Sequence, residues 1–167
     1  MNLYLALTLF LALSPQDGTQ LWEPQEILAH VQMQGAKKTV AEMTSGSGDS
    51  WKHAIQGIQT GSPRWLAVAS ALREGSDAGN SEDLTHALSY ALITAPTSVL
   101  PMLGDEFPLP KVCTVPDIEP TPEYVRQQIG KAKAALGRVK SPQMATKRDA
   151  CIRSFSELET KVSPQHP

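Results

Sequence analysis

Carboxylates are the first residues whose types and spacing could do chemistry. Asp77, Glu82 and Asp83, with Asp105 and Glu106 further along, could supply the protonated and ionised carboxyl pair that acid–base hydrolysis requires. Each also has a simpler role. Asp77 lies in the turn Glu74-Gly75-Ser76-Asp77-Ala78-Gly79-Asn80, and Glu82 and Asp83 fall in the first turn of a helix, where the backbone dipole favours negative charge. No residue is assigned a catalytic role. A cell-wall-directed hydrolase using Asp77 with Glu82 or Asp83 stands as the alternative reading. His30, His53, His86 and His166 have no second His or Cys at ligand spacing on their own helices, so no metal is expected. There is no Gly-x-Ser-x-Gly nucleophile pattern and no phosphate-cradling or dinucleotide glycine pattern, so no cofactor is expected either.

Cys113 and Cys151 are the two cysteines. Without a Cys-x-x-Cys spacing they make a poor zinc or redox pair, and in an exported chain they read as one disulfide, stabilising by about 4 kcal/mol in the chain-entropy model. Export is read from the other end of the chain. Leu3 to Leu13 is an almost unbroken apolar run, too short to span a bilayer, and Ala12-Leu13-Ser14 offers small residues to a signal peptidase, although no Lys or Arg precedes the run. Residues 1–19 are therefore read as an export signal and short polar leader, 20–162 as a single helical domain, and 163–167 as a frayed tail.

The elements that must position these residues are helices. Hydrophobic residues make up 41% of the 167 positions but aromatics only 5%, so the core is expected to be Leu, Ala, Val and Ile, and no segment reads as a strand. Two similar windows stand at the centre. Trp51-Lys52-His53-Ala54-Ile55-Gln56-Gly57-Ile58 and Trp65-Leu66-Ala67-Val68-Ala69-Ser70-Ala71-Leu72 each place apolar residues at helical spacing behind a Trp, with a Gly ten positions after it. The offset between the two Trp residues is too short for a helical-repeat solenoid, and Thr60-Gly61-Ser62-Pro63 makes a tight corner between two short helices. Trp51 and Trp65 are expected to pack inward, with an interface role as the competing possibility.

Before these windows, Glu23-Pro24 opens a first helix through Ile27, Leu28 and Val31, and a second runs from Ala36 to Met43. After them comes the strongest helix, capped by Asn80 or Ser81, with Leu84, Ala87, Leu88, Ala91 and Leu92 on one side. Pro108, Pro110, Pro116, Pro120 and Pro122 then predict an extended wrap carrying Cys113. Val125, Ile129, Ala132, Leu136 and Val139 mark a long helix, and Cys151, Phe155, Leu158 and Val162 mark its antiparallel partner across Ser141-Pro142. The fold expected is all-α: an irregular bundle of about seven helices with a C-terminal antiparallel hairpin and one disulfide.

The formal net charge of −2 conceals a division. Residues 1–110 hold 5 Lys or Arg against 11 Asp or Glu, and residues 111–167 hold 10 against 6. Attraction between the halves within one fold is the simplest expectation, and a charged partner surface the next. Arg126, Lys131, Lys133, Arg138, Lys140, Lys147, Arg148 and Arg153 are not interleaved with aromatics, so nucleic acid is not expected as a partner.

Trp65-Leu66-Ala67-Val68-Ala69, Gly75-Ser76-Asp77-Ala78-Gly79, Glu82-x-Leu84, Val99-Leu100, Ile118-Glu119-Pro120 and Ala135-Leu136-Gly137-Arg138-Val139 resemble a family of small exported proteins of Gram-negative bacteria, over roughly Trp51 to Cys151. The resemblance implies a periplasmic compartment and a helical fold, and no catalytic residues. In format the chain is also similar to the periplasmic immunity proteins of type VI amidase effectors, which are small, helical and disulfide-containing. The expectation is a periplasmic or secreted, non-enzymatic protein-binding module, an inhibitor or immunity-like partner of an exported enzyme. It has no transmembrane span once the signal is removed. The alternatives are the hydrolase above and a structural periplasmic protein without a small ligand. The export reading predicts that mass spectrometry of the exported protein finds an N-terminus at about residue 15 to 20. An intact Met1 in the mature protein would overturn it.

Overall fold

The computed structural model describes residues 21–117 and 119–162, so the leader and the tail lie outside the described residues. Local signals set most of the helix boundaries. Pro24 occupies the first position of α1 (Pro24–Gln34), and Glu26 reaches back to accept from the Glu23 backbone N–H at 2.9 Å. Gly35 separates it from α2 (Ala36–Thr44). The two Trp windows form α3 (Asp49–Gln59) and α4 (Pro63–Arg73). Between them Gly61 sits at φ +73°, where a Cβ would also approach the Ala95 side chain to 2.4 Å, so conformation and packing both require glycine at this corner. Gly48, in the left-handed region at φ 66°, is the residue that starts α3.

The central helix α5 spans Ala78–Thr94. It begins earlier than the Asn80 or Ser81 cap expected, because the Asp77 carboxylate accepts from the Asn80 backbone N–H at 2.9 Å and draws Gly79 into the first turn. Short helix α6 (Pro96–Val99) runs into a 3-10 turn at Leu100–Met102, the brief element that Pro101 permits. The proline-rich stretch is not wholly extended: Leu109–Val112 forms a single turn, α7, with Pro110 in its opening residues, where a missing N–H costs no helical hydrogen bond. Thr121 caps α8 (Pro122–Gly137), and a 3-10 turn at Pro142–Met144 leads into α9 (Ala145–Val162). Among the described residues there are nine helices and no strand, seven of the helices nine residues or longer.

Leu84, Ala87, Leu88, Ala91 and Leu92 of α5 are all fully buried. With Thr85 and Ser89 they cover an arc of about 200° at the ~100° per residue of an α-helix. The helix therefore packs on both flanks: α3 and α4 on the N-terminal side of the chain, α6, α7 and α8 on the other. α8 and α9 form the antiparallel hairpin, shown by Arg126 donating to the Val162 carbonyl at one end and Arg148 to the Val139 carbonyl at the other. Cys113, which ends α7, is bonded to Cys151 in α9, with a Cα–Cα distance of 5.2 Å. Both cysteines are buried. No helix among the described residues is long and apolar enough to cross a membrane.

Because the bridge closes a separation of 38 residues and joins a single turn to a long helix, Cys151→Ser should lower unfolding stability by about 4 kcal/mol. Chemical denaturation of the oxidised protein against the variant measures this. Equal midpoints and slopes would show that the bridge contributes nothing.

Candidate functional site

Trp51 and Trp65 have different surroundings despite their matching windows. Trp51 is buried, and its indole N–H donates to Asp83 Oδ2 at 2.9 Å, tying α3 to α5. Trp65 is half-buried and packs against the core from its edge, so the inward packing expected of both is complete for Trp51 and partial for Trp65. The Trp65 ring lies across Gly57, where a Cβ would come within 2.3 Å of it, and the His53 ring meets it edge-on at 5.2 Å. Gly57 is thus the floor on which the second Trp rests.

Asp77, Glu82 and Asp83 are all exposed and serve three separate purposes. Asp77 caps α5, Asp83 holds the Trp51 indole, and Glu82 lies 3.7 Å from His86 Nε2 one turn along α5. The carboxylates do not converge on one cleft. Among the described residues no group of three His, Cys, Asp or Glu side chains could hold a metal ion.

What the structure does bring together is a groove of about 740 Å³ between α5 and residues 108–117. Ser81, Glu82, Thr85 and His86 line one wall at helical spacing, and Pro108, Pro110, Lys111, Val115 and Pro116 line the other. Arg73 closes one end. Its Nε donates to the Glu106 carbonyl at 2.6 Å, a second guanidinium nitrogen donates to Ser81 Oγ, and the cation stands 5.6 Å from the centroid of the buried Phe107 ring. At the far wall the Tyr90 hydroxyl donates to Asp117 Oδ1 at 2.9 Å. Burial, then the adjacent Asp117 carboxylate, pushes the Tyr90 hydroxyl well above the usual phenol range, and Tyr124 is raised by the same two causes. Asp117 Oδ2 is buried without a hydrogen-bond partner among the described residues. Arg73, Tyr90, Lys111 and Asp117 carry no local sequence signal. Arg73 and Glu106 are 33 residues apart and Tyr90 and Asp117 are 27 apart, so only the tertiary fold shows them as partners.

A second surface lies on α1. Glu26, Ala29, His30 and Met33 share one face of α1, and Trp22, just before the helix, closes with them around a recess of about 360 Å³. The Trp22 and His30 rings stack with centroids 4.1 Å apart. Met33 is 74% exposed and Leu21 40%, and they are the exposed large hydrophobic residues among those described.

Comparison of the chain with family models, with curated proteins and with solved structures found no match.

The Trp51–Asp83 contact gives a direct test of the structural reading of this acid. Asp83→Ala and Trp51→Phe should each lower stability by about 1 kcal/mol, and the double variant should lose less than the two together, since both remove one hydrogen bond. Strict additivity in a denaturation double-mutant cycle would separate Asp83 from Trp51.

Proposed function

We propose that this protein is a non-enzymatic, exported protein-binding module of the bacterial periplasm, an inhibitor or immunity-like partner of an exported enzyme. The observation that carries this reading is the apolar face of α1. Leu21, before the helix, and Met33, on it, are exposed, the half-buried Trp22 ring stacks on His30, and an exposed Met beside an aromatic ring is the kind of group that partner binding buries. The dispersed acids add support. Asp77, Glu82 and Asp83 are individually engaged by a helix N-terminus, a histidine and an indole, and hydrolysis needs a pair facing one substrate.

Charge indicates the partner's chemistry. Arg126, Lys133 and Arg148 pair with Glu123, Glu159 and Asp149 of their own half, while Lys38 and Lys52 pair with Glu42 and Asp49 of theirs. None of these ion pairs joins residues 1–110 to residues 111–167, so the net acid of the first part is not offset through them by Lys or Arg of the second. The partner that fits is a protein presenting an apolar anchor on a surface of net basic charge.

Pulldown from periplasmic extract with the oxidised protein as bait tests this. One stoichiometric partner is expected, and Trp22→Ala should weaken its capture by roughly 30-fold or more, the loss of a central anchor residue. Equal capture by the variant would remove the α1 face from the reading. Release of products from cell-wall material by the wild type, abolished in Glu82→Gln, would replace a binding protein with a hydrolase.

A further inference from the structure

We propose that the groove between α5 and residues 108–117 is a second binding site, taking an extended peptide segment that carries one acidic and one basic residue. This rests on the groove itself and stands independently of the α1 face. The length of the groove is set by α5. From Ala78 to His86 the helix rises about 12 Å, the span of about four residues of extended chain.

The character of the occupant follows from the two walls. Pro108, Pro110 and Pro116 have no backbone N–H, and the Pro108 carbonyl already accepts from the Lys111 and Val112 N–H groups, so this wall offers mainly ring surface and a segment lying against it is recognised through side chains. Lys111 on the same wall is exposed and has neither an ion pair nor a side-chain hydrogen bond among the described residues. Opposite it stands Glu82, with the His86 ring 3.7 Å away. Arg73 does not add a free cation, because its guanidinium is engaged by the Glu106 carbonyl and Ser81. Asp117 lines the groove as well, but its Oδ1 is held by the Tyr90 hydroxyl and its Oδ2 is buried, so the exposed charges offered are the Lys111 ammonium and the Glu82 carboxylate on the two walls, with Val115 and the prolines between them.

A peptide with a carboxylate toward Lys111, a small apolar middle and a cation toward Glu82 matches that pattern. A nucleotide or phosphate would have to lie beside the Glu82 carboxylate, and no Phe, Tyr or Trp lines the groove for a base to stack on, the one ring there being the His86 imidazole beside Glu82. Both walls are anchored before a ligand arrives. The Cys113–Cys151 bridge, the Arg73 contacts and the Tyr90–Asp117 hydrogen bond hold residues 104–117 at fixed positions, which lowers the ordering cost of binding.

Fluorescence anisotropy on the oxidised protein with three blocked, labelled tetrapeptides tests this: Glu-Leu-Ala-Lys, Glu-Leu-Ala-Glu and Lys-Leu-Ala-Lys. The mixed peptide should bind at least tenfold more tightly than either single-sign peptide. Lys111→Glu should shift the preference to the all-basic peptide and Glu82→Lys to the all-acidic one, while Lys111→Arg keeps the original order. Both positions are exposed, and an unchanged melting midpoint checks that the variants fold. Absence of binding by all three peptides, equal affinity for them, or an order unaltered by charge reversal would overturn the proposal. Peptide binding should also survive Trp22→Ala. Its loss in that variant would mean that the groove is not a separate site, whereas loss of the protein partner alone concerns only the α1 face.

Discussion

The burial of α5 on both flanks is the constraint on which the rest of the structure depends. A helix with an apolar arc of about 200° cannot be covered by a single neighbour, so chain from before it and chain from after it must both pack against it. Leu84, Leu88 and Leu92 fill the spaces, and Ala87 and Ala91 let the neighbouring helices come close. Polar residues on the same arc are accommodated without orphaned groups. The Thr85 hydroxyl donates to the Ser81 carbonyl at 2.7 Å and the Ser89 hydroxyl to the Thr85 carbonyl at 3.2 Å, so each satisfies itself within the helix.

The same helix joins two halves of opposite charge, and it does so with little help from ion pairing. Lys147 reaches across to the Pro101 and Leu103 carbonyls at 3.2 and 2.5 Å, and Tyr90 to Asp117, while the carboxylate partners of Arg126, Lys133 and Arg148 lie in their own half. Apolar burial supplies the cohesion and a few hydrogen bonds to carbonyls and one carboxylate supply the register. Internal neutralisation of the halves, the simplest expectation from charge counts, does not occur through these direct pairs. Each half keeps its own sign at the surface, where it acts on a partner within about a Debye length.

Much of this was legible in the residues. Periodic Leu and Ala located α5, the steps of three and four through Val125 to Val139 located α8, and Thr60-Gly61-Ser62-Pro63 gave the corner between the Trp helices. The errors arose where a local rule met a tertiary partner. Asp77 displaced Asn80 and Ser81 as cap because its carboxylate was within reach of the Asn80 N–H, and α7 formed inside a proline-rich stretch because those prolines fall at positions that need no N–H. The two Trp windows share a pattern but not a depth, since helical phase does not say what lies opposite. Asp83 read as a first-turn acid, and its actual partner, the Trp51 indole, is 32 residues away.

The groove arises from the same two facts about its walls. Prolines keep residues 108–117 from continuing as a long helix that could lie flat along α5, and the bond from Cys113 to Cys151 holds the segment toward α9. On α5 the residues that face the gap are Ser81, Glu82, Thr85 and His86, short or charged side chains that neither fill it nor exclude water from it. Tighter closure would take Glu82 and Lys111 out of water, a cost that an ion pair between them would only partly offset. A polar opening therefore remains between two fixed walls, in the one region where the proline-rich chain crosses the central helix.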